Sequence, residues 1–174
     1  MQPNWESREM KQEMVDVLNH EGEVVGVATR REMRIGRLPH RCVYILVFNK
    51  NGEIFIHLRT ATKDVFPSHW DVCAGGVVAA GEDFETGAVR EGFEELGILT
   101  EPQFLFPFRY EDEHTIVFAK VYRCNHDGPF ILQKEEVVRG EFVSMMELNK
   151  RIAIEKFCPD GLKVLEEAKK SGLI

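Results

Sequence analysis

Short runs of apolar residues separated by polar turns fill the first third of the chain, a pattern typical of β-strands. The runs VDVLN and VVGVAT flank the turn-like His20-Glu21-Gly22, and CVYILVFN is followed by EIFIHLR after Lys50-Asn51-Gly52. An Asn-Gly pair favours the tight turn of a β-hairpin. The pattern therefore predicts mostly strands here, with a hairpin at Asn51-Gly52.

The middle of the chain follows a helical period. Small or apolar residues recur every four positions and a glycine follows them: Phe84, Ala88, Gly92, Leu96 and Gly97. Residues at this spacing lie on one face of an α-helix, and a glycine commonly ends one. We therefore predict a single long helix within Asp83 to Leu96.

The last third of the chain mixes the two patterns. Strands are predicted for QFLFPFRY and TIVFAKVYRC, a strand leading into a helix for EFVSMMEL, and an amphipathic helix from Pro159-Asp160 to near Gly172. Because strands and helices interleave, we predict an α/β fold with a mixed sheet between helices.

The length of 174 residues favours a single domain over residues 1–174. We expect about the first twelve residues to be mobile, because they are polar and terminal. They contain no apolar signal-peptide core, and no apolar run is long enough to cross a bilayer. The four cysteines form no CxxC pair, so we interpret them as reduced, buried thiols. These features predict a cytoplasmic protein.

The charge balance limits the partners that the protein can attract. Lys and Arg total 22 against 29 Asp and Glu, which gives a formal net charge of -7. A chain this acidic has no general basic field for nucleic acid or an anionic membrane, so we predict neither partner. An anionic substrate would need local positive charge, such as a metal ion. A homodimer is the expected assembly for a small protein of this kind.

Three carboxylates share one arc of the predicted central helix. At about 100° per residue, Glu91, Glu94 and Glu95 lie together beside the packed face. Like charges so close together repel, and the cluster therefore needs a counter-charge. Hard oxygen ligands without His or Cys suit Mg²⁺ or Mn²⁺. Arg90 lies next to the arc and is predicted to hold one carboxylate while the others stay free for metal and water.

These carboxylates belong to a longer pattern of fixed residues. Its members are Gly76, Glu82, Arg90, Glu91, Glu94, Glu95 and Gly97. A chance match of this length, at about 7% abundance per residue type, has a probability on the order of 10⁻⁸ per start position. The pattern resembles the Nudix box, G-x5-E-x7-R-E-U-x-E-E-x-G-U. It departs from the box at Gly92, where the family usually has a bulky aliphatic residue, so the departure concerns packing and removes no ligand.

Resemblance to the Nudix hydrolase superfamily implies an α/β/α sandwich and metal-dependent hydrolysis of the diphosphate linkage in a nucleoside-diphosphate-like or other small organic diphosphate. The Mg²⁺ ligands, with Mn²⁺ as an alternative ion, would be the Gly75 carbonyl, Glu91, Glu94 and Glu95. Arg90 would assist catalysis by positioning carboxylates. The general base differs among family members, and would be Glu91 or a carboxylate outside the box. Glu136 is one candidate, although a plain surface acid is an equally good interpretation.

Nearly the whole chain also resembles the branch that contains isopentenyl-diphosphate isomerases and their hydrolase-like relatives. Isomerases carry a catalytic Cys and a metal-binding His where this chain has Gly75 and Val77. Cys73 is two positions short, and Glu113 aligns only loosely with the second catalytic Glu. Of the isomerase histidine cluster only His40 remains. We therefore favour hydrolysis over isomerisation.

Two basic residues in LRTATK, Arg59 and Lys63, match residues that contact diphosphate in this branch. They are predicted to bind substrate, with exposed strand-end cations as the alternative interpretation. A third hypothesis is a catalytically silent nucleotide-binding module. Because such modules tend to lose box carboxylates and this chain keeps them, an enzyme is the stronger prediction.

Overall fold

The computed structural model describes residues 13–174, so the predicted mobility of residues 1–12 lies outside the described part of the chain. Strands and helices interleave through it, as predicted. In chain order they are β1 (Met14–Leu18), β2 (Val24–Thr29), α1 (Arg30–Ile35), β3 (His40–Phe48), β4 (Ile54–Arg59), β5 (Trp70–Asp71), β6 (Ala74–Val77), α2 (Phe84–Leu96), β7 (Gln103–Glu111), β8 (Ile116–Asn125), β9 (Val137–Val143), α3 (Met145–Ile152) and α4 (Pro159–Lys170).

Seven strands form one mixed sheet. The order is β5-β4-β3-β8-β7, with β6 added to β3 and β9 added to β4. Strands β3 and β8 run parallel, and the other named pairs of this sheet are antiparallel. Strands β1 and β2 form a separate antiparallel pair around the predicted turn.

The predicted Asn51-Gly52 turn is present, but the strands on either side of it soon diverge. The Gly52 N–H donates to the Asn49 carbonyl at 3.0 Å, and Gly52 takes the left-handed φ of 75° that glycine tolerates. Strands β3 and β4 are in register only at Phe48 and Ile54. Beyond that point β3 pairs with β6 and β4 pairs with β9. The divergence separates the sheet into two wings, one of β3, β6, β7 and β8 and the other of β4, β5 and β9.

A hydrophobic core lies on each face of the sheet. Alternate residues of β3 supply the two cores: Cys42, Tyr44 and Leu46 on one face, and Val43, Ile45 and Val47 on the other. Helix α4 packs on the first face through Val164 and Leu165, whereas α2 packs on the second through Ala88 and Leu96. Helices therefore cover both faces, which confirms the predicted α/β/α sandwich.

Helix α1 was not predicted from the apolar pattern, because only Met33 among its residues is buried. A local signal for it does exist. Thr29 and Glu32 form a capping box, in which each side chain accepts a hydrogen bond from the other residue's backbone N–H. Within residues 13–174, no helix is long and apolar enough to cross a membrane.

Candidate active site

Helix α2 carries most of the box residues and has a defined cap at each end. The Asp83 carboxylate accepts a hydrogen bond from the Thr86 N–H at 2.7 Å, which starts the helix. Gly97 ends it with a left-handed φ of 70°. The predicted helix boundaries are therefore confirmed, and the caps fix which side chains face the sheet.

Two of the three predicted metal-binding carboxylates are buried against β6. Glu91 and Glu95 are 9% and 2% exposed. The Gly75 N–H donates to Glu95 Oε2 at 3.0 Å. A Cβ at position 76 would lie only 2.7 Å from Glu91 Oε2, so Gly76 provides the space that this carboxylate occupies. The absence of a side chain at Gly76 therefore makes room for the Glu91 carboxylate.

Arg90 contacts three carboxylates, whereas one was predicted. Its guanidinium makes two hydrogen bonds to Glu82, both of 2.9 Å, and contacts Glu91 at 2.7 Å and Glu94 at 3.1 Å. The prediction that Arg90 holds a single carboxylate is therefore wrong, because its planar fork presents several donors at once. Among the three predicted carboxylate ligands, Glu95 is the one for which no Arg90 contact is found in the described residues.

Lys63 and Glu136 lie beside this cluster, although they come from loops far apart in sequence. The Lys63 ammonium donates to the Glu136 carboxylate and lies 3.9 Å from Glu95 Oε1. Only 10% of the Lys63 side chain is exposed. The interpretation of Lys63 as an exposed strand-end cation is therefore wrong, and Glu136 is more than a plain surface acid.

Arg59 is also buried, with 13% of its side chain exposed, but it faces its own loop. Its guanidinium donates to the carbonyls of Val65 and Phe66 at 2.8 and 3.2 Å and lies 3.6 Å from Asp71. The exposed-cation interpretation is wrong here too. These contacts fix the loop that carries Lys63. Arg59 also lines the pocket beside Gly75 and Gly76, and its role in substrate binding stays a prediction.

The cluster shows opposite shifts in carboxyl pKa. Burial raises the pKa of Glu91 and of Glu95 above the usual range, although Arg90 and Lys63 respectively oppose the shift. Burial also disfavours the charged form of Glu136, but the hydrogen bond and charge of Lys63 outweigh it and lower that pKa.

The donor chemistry of this cluster fits a hard divalent cation. Two buried carboxylates, with a third at the rim, concentrate negative charge that the protein compensates only in part. No group of three His, Cys, Asp or Glu side chains in residues 13–174 is arranged as a ready-made metal cage. Arg90 and Lys63 hold the carboxylates instead. The carboxylates therefore fit Mg²⁺, and Arg90 and Lys63 balance part of their negative charge.

A pocket with a volume of about 70 Å³ opens beside Gly75 and Gly76. It lies between the two wings of the sheet, the loop after β4 and the start of α4. Arg30, Arg34 and Asp160 also line it. The sequence reasoning missed these three residues. The capping box before α1 was an available signal for the first two, whereas nothing in the spacing of Asp160 indicates its place.

Of the residues that bear on isomerisation, all but Glu113 line the pocket. Gly75 and Val77 lie two residues apart on β6 and have no titratable side chains. Cys73 and His40 line the pocket, and burial raises the Cys73 pKa well above its usual range. The Glu113 side chain is 86% exposed and is within 3.5 Å of His114. It is therefore a surface residue in this structure.

Comparison with known proteins agrees with the fold and the box. The NUDIX domain family model matches residues 38–166. The uncharacterised Nudix hydrolase YfcD of Escherichia coli K12 is 40% identical over 158 residues, which cover 88% of this chain and 84% of that protein. The uncharacterised Nudix hydrolase SCO1686 of Streptomyces coelicolor is 40% identical over 153 residues, with coverages of 86% and 84%.

Solved structures show the same architecture. DR0079 from Deinococcus radiodurans superposes with a TM-score of 0.75 at 29% identity, covering 89% of this chain and 98% of that one. The MutT protein from Methanosarcina mazei reaches a TM-score of 0.66 at 24% identity, over 77% and 95% of the two chains, and supports the fold alone.

The fold, the box and these relatives together define a diphosphate-hydrolysing class of enzyme. The chain belongs to the Nudix family and is a Nudix hydrolase. The predicted enzyme class is thereby confirmed. The narrower resemblance to the isopentenyl-diphosphate isomerase branch stays a prediction.

Proposed function

We propose that this enzyme hydrolyses the diphosphate linkage of a small organic diphosphate with the help of Mg²⁺, or of Mn²⁺ in its place. The ligands in this proposal are the Gly75 carbonyl, Glu91, Glu94 and Glu95. The observation that carries it is the burial of Glu91 and Glu95 against two glycines, beside a pocket lined by arginines. Burying two acids so closely is costly unless a cation offsets them.

The protein's own residues hold the metal ligands in position. Arg90 holds Glu82, Glu91 and Glu94 in fixed positions, which limits the reorganisation needed when a cation binds. When bound, Mg²⁺ would polarise a phosphoryl oxygen and lower the pKa of the attacking water.

We assign the general base to Glu136. Its side chain is 29% exposed, so water can reach it, and Lys63 favours its ionised form. The Glu91 carboxylate is bound by Arg90 and packed against Gly76, which suits a ligand better than a base. Lys63 lies close enough to the cluster to contact the phosphates as well. Arg59 lines the pocket and holds the loop that carries Lys63, and we assign it to substrate binding with Lys63.

The experiment is a screen of diphosphate compounds with Mg²⁺ and with excess chelator. The panel contains nucleotide sugars, dinucleotides, coenzyme-A-like compounds and prenyl diphosphates, and phosphate-containing products are identified. We expect hydrolysis of at least one compound that stops in chelator. Full turnover in chelator, or no turnover of any compound with Mg²⁺ or Mn²⁺, contradicts the proposal.

Glu95→Gln tests the ligand assignment directly. An amide oxygen can still accept the Gly75 hydrogen bond, so we expect the fold to persist. The loss of the charge should lower kcat at least ~10²-fold, because metal stabilisation of the transition state is worth several kcal/mol. The exposed Glu101→Gln is the matched control. Near wild-type kcat in Glu95→Gln would count against Glu95 as a ligand.

A further inference from the structure

The pocket beside the cluster has an inner wall with two unsatisfied polar groups. His40 and Thr115 both line it, and they are only 1% and 4% exposed. His40 Nε2 and Thr115 Oγ1 are buried and have no hydrogen-bond partner within residues 13–174. Buried polar atoms are almost always paired, so an unpaired group lining a pocket points to a ligand.

The hydrogen bond of the other ring nitrogen defines what His40 can offer. Nδ1 lies 2.9 Å from the Leu38 carbonyl, which accepts hydrogen bonds only, so Nδ1 carries the ring proton. Burial lowers the His40 pKa to about 4, and the ring is therefore neutral near pH 7. Nε2 is then a lone-pair acceptor without a donor.

Thr115 precedes β8 directly and lines the same pocket as His40. His40 is opposite Val117 in the parallel pairing of β3 with β8, and Thr115 precedes Val117 by two residues. Thr115 and His40 therefore lie at the same end of the β3–β8 pair and line the same pocket, and the Thr115 hydroxyl can either donate or accept.

Charged residues lie nearer the mouth of the same pocket. Arg30 and Arg34 both line it, and both are within salt-bridge distance of Asp64, at 3.8 and 3.0 Å. The Tyr44 hydroxyl, which also lines the pocket, already donates to Asp160 at 2.8 Å. The pocket thus combines a charged rim, in which Arg30 and Arg34 are paired with Asp64, with an inner wall that has two polar atoms without partners among the described residues.

We propose that this inner wall is a specificity subsite, in which His40 Nε2 accepts a hydrogen bond from a hydroxyl or amino group on the organic part of the substrate and Thr115 Oγ1 bonds to the same group or its neighbour. The inference rests on the proposed function and deepens it. It selects diphosphates of hydroxylated or aminated groups over those of hydrocarbon chains, because a hydrocarbon would leave both polar atoms unpaired.

Thr115→Val tests the subsite by removing the hydroxyl while keeping the shape. The probes are UDP-glucose and CDP-glycerol as hydroxylated diphosphates, and isopentenyl and geranyl diphosphate as hydrocarbon ones. We expect the wild type to prefer a hydroxylated probe, and Thr115→Val to lower kcat/KM for it about 10-fold, the worth of one hydrogen bond. The value for the hydrocarbon probes should not fall. Exposed Thr100→Val is the matched control.

Stability separates this role from a structural one. Because the Thr115 hydroxyl is unpaired in the folded protein, Thr115→Val should leave Tm unchanged or raise it. A lower Tm would show that the hydroxyl has an internal partner and would overturn the proposal. So would a hydrocarbon diphosphate as the preferred probe, or an equal loss of kcat/KM on every probe.

Imidazole-nitrogen NMR on the wild-type protein follows His40 without any turnover. On titration with a methylene-bridged analogue of UDP-glucose, we expect the His40 Nε2 resonance to move upfield, as a lone pair does when it accepts a hydrogen bond. No movement at saturating analogue overturns the subsite. If the screen finds no hydrolysis but Nε2 moves, the proposed function fails while the subsite stands, so the two failures are distinguishable.

Discussion

Glu136 shows how a residue's environment defines its chemical use. Its carboxylate is partly exposed and bound to Lys63, whose charge keeps it ionised near neutral pH. We expect Glu136→Gln to lower kcat by ~10² to 10³-fold, the usual contribution of a general base, while half-saturation by Mg²⁺ changes little. Steady-state kinetics against Mg²⁺ concentration measures both quantities.

The control for that experiment is Glu135→Gln, the neighbouring exposed glutamate on the same loop. Weaker Mg²⁺ activation together with an unchanged limiting kcat would assign Glu136 to metal binding and return the role of base to Glu91.

Gly76 contributes to the site because it has no side chain. A Cβ there would lie within 2.8 Å of the Glu91 carboxylate, which sits at the far end of a flexible side chain. We therefore expect Gly76→Ala to displace Glu91 and lower kcat at least ~10²-fold, since a misplaced ligand forfeits metal stabilisation of the transition state. The folded structure should survive, and circular dichroism with Mg²⁺-dependent kinetics checks both.

Gly81→Ala is a less suitable comparison because Gly81 has a left-handed φ of 74°. Gly26→Ala is the better control, because a Cβ there meets no atom within 4 Å. Wild-type activity in Gly76→Ala would mean that the position of Glu91 is not critical.

At the scale of elements, helix α2 tolerates a glycine where the family usually has a bulky residue. A Cβ on Gly92 would meet only Ile45 Cδ1, at 3.5 Å, which is ordinary van der Waals contact. Ile45 on β3 thus approaches the helix where a side chain on α2 would otherwise pack. We expect Gly92→Ala to raise stability by about 0.5 to 1 kcal/mol, because alanine loses less backbone entropy in a helix.

Denaturant unfolding with an unchanged m-value measures that gain, and kcat should stay near the wild-type value. Gly87→Ala provides a contrast on the same helix, because its Cβ would lie 3.3 Å from the Glu82 carboxylate. A loss of stability in Gly92→Ala would show that the helix and β3 already fill this space.

At the scale of the whole molecule, the arrangement of the pocket separates hydrolysis from isomerisation. Allylic isomerisation needs a proton donor and an acceptor on opposite sides of a carbon skeleton. Gly75 and Val77 supply neither, and Glu113 lies on the surface. We expect isopentenyl diphosphate, incubated with enzyme and Mg²⁺ in deuterated water, to gain no deuterium on carbon above a no-enzyme control.

NMR of the recovered diphosphate detects such exchange. Exchange that depends on the enzyme and disappears in Cys73→Ala would favour the isomerase, because Cys73 is the thiol nearest in sequence to the isomerase position and lines the pocket. Cys124→Ala, a buried thiol that does not line this pocket, is the control.

Local sequence determined the central helix, the hairpin turn and the family motif of this protein. The four-residue period of α2, its caps at Asp83 and Gly97, and the Asn51-Gly52 turn each depend on residues close together in the chain. Short-range geometry is enough to predict such features, and the spacing of the box residues within one helix and its preceding loop was sufficient to predict the family.

Only the tertiary structure decided which residues share the site. Lys63, Glu136 and Glu95 come from two loops and a helix, and their contact depends on β4 leaving β3 to pair with β9. His40 and Thr115, each with an unpaired side-chain atom among the described residues, likewise come to line one pocket because β3 pairs in parallel with β8. Whether a charge is buried, paired or left without a partner depends on such long-range packing, and no spacing along the chain encodes it.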